Sequence, residues 1–205
     1  MPTPRTLAAA LAVLLAGSSI AALPARADST EAPRVRRVAL DEARAAPRLP
    51  SGFSNPMPGG HLAGYAADTG LDIGGFRMPV FAIAAGTLDY AEAGHTRWNG
   101  KGDSTLAVRL ALDAPIPWKK RQITHVWYAH LTSVELAQPE GASERAHVEA
   151  GHPLGVSGFA NGAPHLHLGL LLDGDVSQDW GTFLGEDEIR AVLGSLSARG
   201  RLPRR

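Results

Sequence analysis

From Gly52 onwards the chain alternates short apolar segments with glycine and turn residues, a pattern typical of a β-rich domain. The clearest alternation places Leu106, Val108 and Leu110 on one face of a strand and Arg109 on the other. The prolines and basic residues of 113–122 indicate a wide hairpin with an exposed, charged tip. The apolar segments predict strands at residues 78–83, 87–90, 105–112, 123–131, 154–156 and 166–172.

A single helix is predicted at the end of the domain, over residues 186–199. Its apolar residues follow the i, i+3, i+4, i+7 spacing of one helical face: Ile189, Val192, Leu193 and Leu196. Three acidic residues at its start suit the positive end of the helix dipole, and Gly200 is a candidate C-cap. Residues 200–205 form a basic tail that we expect to be solvated.

The first 27 residues have the pattern of an export signal. Arg5 provides a positive charge, residues 7–15 are apolar, and Ala25-Arg26-Ala27 is a cleavage pattern. A membrane-spanning helix needs about 20 residues, so we expect no stable membrane insertion after cleavage, and an uncleaved interfacial anchor is the alternative. The expected location is the periplasm, the cell wall or the exterior. Residues 28–50 predict a linker or loosely docked arm before a domain at residues 51–185.

The composition limits the partners and the metal ligands that the chain can have. Lys plus Arg and Asp plus Glu balance at 20 each among 205 residues. Removing residues 1–27 takes away two arginines and no acid, which changes the net charge from 0 to −2. Such a balance gives no strong field for nucleic acid, so we expect no nucleic-acid partner. The chain has no cysteine, which excludes disulfides and thiolate zinc sites and leaves histidine and carboxylates as the strong metal ligands.

Three separated segments carry the candidate chemistry. His165 and His167 project from one face of a predicted strand, because side chains alternate along a strand. His130 lies near the end of another predicted strand, and Asp68 and Asp72 share a face if their segment is extended. Carboxylates and imidazoles without thiolates suit zinc with three protein ligands and an open fourth position. A water bound there is a nucleophile for amide hydrolysis.

The order of these segments resembles the lysostaphin/LytM family of zinc metallopeptidases, the murein hydrolases and glycyl-glycine endopeptidases. The resemblance implies an all-β fold, a compact antiparallel β-sandwich to which the sequence adds one C-terminal α-helix. It also implies Zn2+ as cofactor and peptidoglycan stem or cross-bridge peptides as substrate. The matching stretches are Asp68-x-Gly70-x-Asp72, residues 78–87, Tyr128-Ala129-His130-Leu131, residues 151–158 and Pro164-His165-Leu166-His167.

Residue by residue, the resemblance implies that Asp72 and His167 are zinc ligands. His130 and His165 match the two catalytic histidines, which polarise the scissile carbonyl, stabilise the oxyanion and move protons. Asp68 stands where the family has its first ligand histidine. Zinc accepts a carboxylate oxygen at about the distance of an imidazole nitrogen, so a metal site of Asp68, Asp72 and His167 is chemically possible. Two carboxylates cancel the charge of the metal and weaken it as a Lewis acid.

The remaining aromatic and histidine residues allow alternatives. His61 can in principle replace the missing ligand histidine, although we expect it in an exposed loop. Tyr128, in phase with His130 on its strand, and His125 lie on opposite faces, so at most one of them lines the groove. Trp98 and Trp127 are candidates for a groove wall or for ordinary packing. The histidines without a pattern are expected in solvated loops: His95, His147 and His152.

Two other functions stay open. A catalytically inactive module on the same fold can bind the cell wall or activate other cell-wall enzymes if Asp68 abolishes zinc chemistry. The triplet Asp68-Thr69-Gly70 also matches aspartic proteases, in which two aspartates share a proton. That function leaves His130, His165 and His167 unexplained and requires a dimer. It predicts acid-pH activity that is insensitive to chelators, whereas the zinc hypothesis predicts loss of activity with chelator.

Overall fold

The computed structural model describes residues 32–64, 69–96 and 100–196, and these contain ten β-strands and one α-helix. The predicted signal segment, the basic tail, Asp68 and Trp98 lie outside the described residues. The strands are β1 Arg34–Arg37, β2 His61–Leu62, β3 Leu71–Gly74, β4 Pro79–Phe81, β5 Gly86–Ala93, β6 Leu106–Trp118, β7 Arg121–Val134, β8 Glu144–Val148, β9 Pro153–Ala160 and β10 Ala163–Leu172. The helix α1 spans Glu186–Leu193, and a short 3-10 helix spans Glu42–Arg44.

The strands hydrogen-bond in the order β1-β8-β5-β6-β7-β9-β10-β3-β2, and β4 pairs with β9. Every one of these pairs is antiparallel except β1 with β8, which is parallel. The all-β class is thereby confirmed, with one short C-terminal helix. Two separate antiparallel sheets are not formed, because β7 bonds to three strands and joins the layers into one mixed sheet.

The sheet buries side chains on both faces. One face carries the main core, to which β6 contributes Val108 and Leu110 as their alternation predicts, and β10 contributes Leu166 and Leu168. The opposite face carries a smaller buried cluster, made of Tyr90, Ala107, Trp127, Ala129, Leu171 and Phe183. Two members of this cluster, Trp127 and Phe183, line the groove described below.

Strand β7 changes partner in its middle. Up to Ala129 it pairs with β10, and from Leu131 it pairs with β9. His130 lies between the two pairings with a φ of 61°, in the left-handed region that non-glycine residues seldom adopt. The register shifts between Leu131 and Ser133. Three strands therefore meet and diverge at His130.

The hairpin between β6 and β7 is tighter and longer than predicted. The strands run on to Trp118 and from Arg121, so the connection is a two-residue turn at Lys119 and Lys120. A register shift between Ala111 and Ile116 accommodates the prolines within the strand. The tip is exposed and charged, as predicted, and Lys119 Nζ lies 2.7 Å from Glu188 Oε1.

The two ends of the domain bear on two further predictions. Helix α1 ends at Leu193, not at residue 199, because Gly194 adopts a φ of 73° and closes the last turn. Of the two alternatives for this segment, a linker or a docked arm, residues 32–50 have the form of an arm, since β1 pairs with β8 and Leu49 is buried in the main core. Within the described ranges, no helix is long and apolar enough to cross a membrane.

Candidate functional site

The candidate site is built on the sheet face that carries the smaller cluster. His167 on β10 is directly opposite Asp72 on β3 and Ala129 on β7. His165 is opposite Gly74 one step further along the same pair of strands. Directly opposite residues on paired strands project to the same side, so the cross-strand register places Asp72, His165 and His167 on one face.

Asp72 is the centre of this arrangement. Its Oδ1 lies 2.9 Å from His167 Nδ1 and 3.7 Å from His165 Nε2. A carboxylate oxygen accepts, so the Nδ1–H of His167 donates to Asp72. His165 Nδ1 donates to the carbonyl of Ala163 at 3.0 Å, which leaves the lone pair of the neutral ring on Nε2, the nitrogen that faces Asp72. The proton positions in both imidazoles are therefore set by oxygen acceptors.

His130 reaches the same place from β7. Its ring lies edge-on to the rings of His165 and His167, with centroids 5.0 Å and 6.0 Å away. Burial, reinforced by the charges that His167 and His165 carry when protonated, lowers the pKa of His130 to about 4. His130 Nδ1 has no hydrogen-bond partner among the described residues. His130 is thus held as a neutral imidazole beside the other two.

These four side chains are nearly as buried as the core. Their exposed fractions are 3% for Asp72, 5% for His130, 2% for His165 and 6% for His167. A buried ionisable cluster of this kind is costly unless its members are paired, and such clusters concentrate at functional sites. The structure therefore brings together four of the five predicted site residues, while the fifth, Asp68, lies outside the described part of the chain.

A groove of about 260 Å³ opens onto His130 and His167. Its base depends on Gly169, where a Cβ would lie 2.8 Å from the ring of Phe183. The ring of Trp127 stands edge-on to His167 at 5.4 Å, so this tryptophan is a groove wall as well as a packed residue. The other lining residues are Thr69, Thr96, Asn161, Gln178, Trp180 and Phe183.

Most of these lining residues carry no pattern that predicts a place in the site. A signal was available for Trp180, because a tryptophan in a polar, glycine-flanked segment has little apolar surface nearby to cover it. Its side chain is exposed at the rim of the groove. For Thr96, Asn161 and Gln178 the sequence carries no signal, since small polar residues in loops are common everywhere.

Tyr128 and His125 both lie away from the groove. Tyr128 points into the main core, where its hydroxyl accepts the Ile83 N–H at 2.9 Å. The predicted phase between Tyr128 and His130 is wrong, because the left-handed backbone at His130 turns its side chain to the opposite face. His125 lies on the groove face of the sheet, but its Nε2 is 3.5 Å from Asp89 Oδ2, in a neighbouring charged cluster.

The expectation of solvated loop histidines is also wrong in several places. His147 lies on β8, is buried, and contacts Asp113 Oδ2 through Nε2 at 2.7 Å. His152 is buried next to β9. His95 is half-buried and stacks on Tyr90 with ring centroids 3.7 Å apart. His61 is exposed as expected, but it lies on β2 and not in a loop.

The donor set is suited to zinc. Within the described ranges no three histidine or acidic side chains already form a metal-binding arrangement. Two ligand atoms of a tetrahedral zinc lie about 3.3 Å apart. Asp72 Oδ1 and His167 Nδ1 are 2.9 Å apart, so a zinc ion held by both atoms would take the place of the Nδ1 proton. Asp72 and His167 therefore fit as two ligands of such a site.

No family model and no curated protein matches the chain. Among solved structures, it is similar to the catalytic domain of the antimicrobial peptidase lysostaphin from Staphylococcus simulans. That match has 21% identity over 65% of this chain and 87% of the other, at a TM-score of 0.41. A second lysostaphin structure has 23% identity over 70% of this chain and 52% of the other, at a TM-score of 0.44. A mutant catalytic domain of the prophage-encoded M23 protein EnpA from Enterococcus faecalis has 22% identity over 69% of this chain and 95% of the other, at a TM-score of 0.39.

Proposed function

We propose that this protein is an exported zinc metallo-endopeptidase that hydrolyses peptide bonds in peptidoglycan stem or cross-bridge peptides. The observation that carries the proposal is the contact of Asp72 with His167 at 2.9 Å, with His165 and His130 beside it. His130 and His167 open onto the groove. These four buried side chains, one carboxylate and three imidazoles, place candidate metal ligands next to groups that can transfer protons.

Asp72 and His167 would hold the metal, and Asp68 is proposed as the third ligand. Zinc, when bound, supplies a Lewis acid that polarises a carbonyl and lowers the pKa of a coordinated water to about 7. The His167 ring is supported by Trp127, whose ring stands edge-on to it at 5.4 Å. This support keeps the ligand ring in one orientation, which is a requirement of a catalytic metal site.

His165 and His130 are proposed to move protons and to stabilise charge. Because His165 donates from Nδ1 to the Ala163 carbonyl, its Nε2 is free to take a proton from the attacking water and return it to the leaving amine. His130 stays neutral near pH 7, since its pKa lies at about 4. A neutral imidazole N–H donates a hydrogen bond, and we assign His130 to the oxyanion of the tetrahedral intermediate.

The proposal is tested by zinc content and peptide cleavage measured on the same purified full-length protein. We expect about one zinc per chain after dialysis against trace zinc, and release of new amino groups from peptidoglycan that stops with chelator. Asp72→Asn and His167→Gln are expected to lose both, because each removes a ligand while keeping the side-chain shape. His125→Gln is the matched control, since His125 lies on the same sheet face outside the groove.

Two results contradict the proposal in different ways. Cleavage that persists in chelator and in His167→Gln excludes zinc chemistry at this site. A wild-type protein that binds peptidoglycan but neither binds zinc nor releases amino groups is instead the inactive wall-binding or activator module. In that case Asp68→His becomes the informative variant, because it restores the imidazole that the family has at this position.

A further inference from the structure

Part of the groove wall is formed by two segments that are far apart in the sequence. Thr96 follows the end of β5, whereas Gln178 and Trp180 follow the end of β10. The side-chain amide of Gln178 donates from Nε2 to the main-chain carbonyl of His95 at 2.8 Å. This hydrogen bond joins the two segments at the residue next to Thr96, so the position of each segment depends on where His95 lies.

The imidazole ring of His95 fixes that position. The ring stacks on Tyr90 with centroids 3.7 Å apart and planes 13° apart, and its Nε2 lies 2.9 Å from Glu92 Oε1. A carboxylate oxygen accepts, so the Nε2–H donates to Glu92. The same carboxylate oxygen accepts the N–H of Glu140 at 2.8 Å. The stack and the hydrogen bond together set the plane and the rotation of the imidazole.

Tyr90 is a rigid support for the stacked ring. It is fully buried in the smaller cluster, which also contains Trp127, and the guanidinium of Arg109 lies over its ring at 4.6 Å. Tyr90 on β5 is directly opposite Arg109 on β6, which is directly opposite Trp127 on β7. Directly opposite residues share a face, so His95 is anchored on the same row of the sheet as Trp127, a residue of the groove wall.

The segment of Gln178 shows that it is held in place. Gln178 has a φ of 57°, a left-handed conformation that a non-glycine residue keeps only where its surroundings hold it. Two residues later, the Trp180 side chain is 74% exposed at the rim of the groove. An exposed indole offers a large apolar surface that a bound substrate can cover. The hydrogen bond of Gln178 to His95 therefore helps to set where this surface stands.

We propose that His95 is a positioning residue for substrate binding. Its stacked ring fixes the carbonyl that holds Gln178, and this bond places Trp180 and Thr96 to contact a peptidoglycan peptide in the groove. The inference rests on the proposed function, since it concerns the substrate-binding wall of that site. His95 has no part in zinc binding or proton transfer, so its loss affects substrate binding and not the chemical step.

The test is a double-mutant cycle in the full-length protein with zinc, on wild type, His95→Ala, Gln178→Met and the double variant. Gln178→Met keeps the length of the side chain and removes the donor. We expect each single change to raise the apparent KM for suspended peptidoglycan about three- to tenfold, the size of one lost hydrogen bond, with kcat and zinc content unchanged. The double variant is expected to match the single variants, because both changes remove the same link.

A conservative variant and a control sharpen the test. His95→Phe keeps an aromatic ring on Tyr90 and is expected to restore most of the wild-type KM. His61→Ala is the matched control, since His61 lines a separate cleft beside helix α1. Amide hydrogen exchange over residues 175–182 is a readout that does not depend on hydrolysis. We expect faster exchange there in His95→Ala and in Gln178→Met, and wild-type exchange in His61→Ala. Gln178→Met alone carries the test if His95→Ala does not fold.

The outcomes separate the two proposals. Unchanged KM and unchanged exchange in His95→Ala overturn the role of His95 and leave the metallopeptidase proposal intact. Additive effects of the two changes, or a fall in kcat at constant KM, also overturn it. If wild type does not hydrolyse peptidoglycan, the metallopeptidase proposal fails and cosedimentation with peptidoglycan replaces KM. Weaker cosedimentation of both variants then supports the role of His95, and equal cosedimentation overturns it. Wild-type protein that neither hydrolyses nor binds peptidoglycan overturns both proposals.

Discussion

The two faces of β10 are equally buried and chemically opposite. Leu166, Leu168 and Leu170 point into the main core, and His165 and His167 lie on the opposite face, where His167 lines the groove. On the core face, burial removes apolar surface from water and stabilises the fold. On the groove face, burial removes water from ionisable groups, which then depend on Asp72 and on the Ala163 carbonyl for their hydrogen bonds. The alternation of side chains along β10 thus places residues that stabilise the fold on one face and residues of the candidate site on the other.

The sharpest test of this separation changes two neighbouring residues of β10. His167→Ala is expected to abolish zinc binding and peptide hydrolysis, with a small effect on the unfolding of the metal-free protein. Leu168→Ala is expected to reduce the free energy of unfolding by about 2–5 kcal/mol, the usual cost of truncating a buried leucine. Activity per folded molecule should be retained. Urea unfolding in chelator and hydrolysis in zinc measure the two effects separately.

Two results would contradict this separation between the core face and the groove face. A His167→Ala protein that unfolds as easily as Leu168→Ala would show that the groove face holds the fold together. A Leu168→Ala protein that is folded but inactive would show that the core face positions the histidines.

A second prediction uses the burial of His130. Its pKa is about 4 in the folded chain, against a usual value of about 6.5 for a histidine in an unfolded chain. Between these values the unfolded state binds the proton and the folded state does not, so stability is fully present above pH 6.5 and is lost as the pH falls towards 4. The loss attributable to His130 is on the order of 3 kcal/mol at pH 4.

His130→Asn removes this titration and keeps a residue that tolerates the left-handed backbone at φ 61°. Metal-free wild type and variant should therefore differ in the slope of unfolding free energy against pH between about 6.5 and 4. His61→Asn, at an exposed histidine, is the control. Parallel pH curves for wild type and His130→Asn would contradict the assignment of a buried neutral His130.

The smallest expected effect concerns Tyr128, which lies on the core side of the same strand as His130. Tyr128→Phe removes the hydroxyl that accepts the Ile83 N–H and leaves that buried amide without its partner. We expect a loss of about 1–3 kcal/mol in unfolding free energy, with kcat unchanged for the folded protein. A marked fall in kcat at full folding would instead assign Tyr128 to the reaction.

Much of the strand layout could be predicted from local pattern. The alternation of Val108 and Leu110 with Arg109 correctly divides β6 between core and opposite face. The same period of two places His165 and His167 on one side of β10 with Leu166 on the other. These predictions succeed because the direction of a side chain on a regular strand depends only on its neighbours in the chain.

The alternation rule fails at His130. Regular alternation predicts that the His130 side chain lies on the same face of β7 as Tyr128. The side chain turns to the groove because β7 leaves β10 and joins β9 at that residue, with a left-handed φ. No local pattern shows this, since the change of partner is decided by strands that lie far away in sequence. The helix end at Gly194 was missed for a different reason, because a glycine within a helical pattern is compatible with either continuation or a cap.

The sequence by itself determined the residue types of the site, the all-β class and the direction of each side chain on a regular strand. Only the tertiary structure decided that Asp72 meets His167, that His130 joins them, and that Gln178 reaches the carbonyl of His95. The reason is physical: alternation is a property of one strand, whereas register, partner exchange and contact between strands are fixed by pairings over long sequence separations.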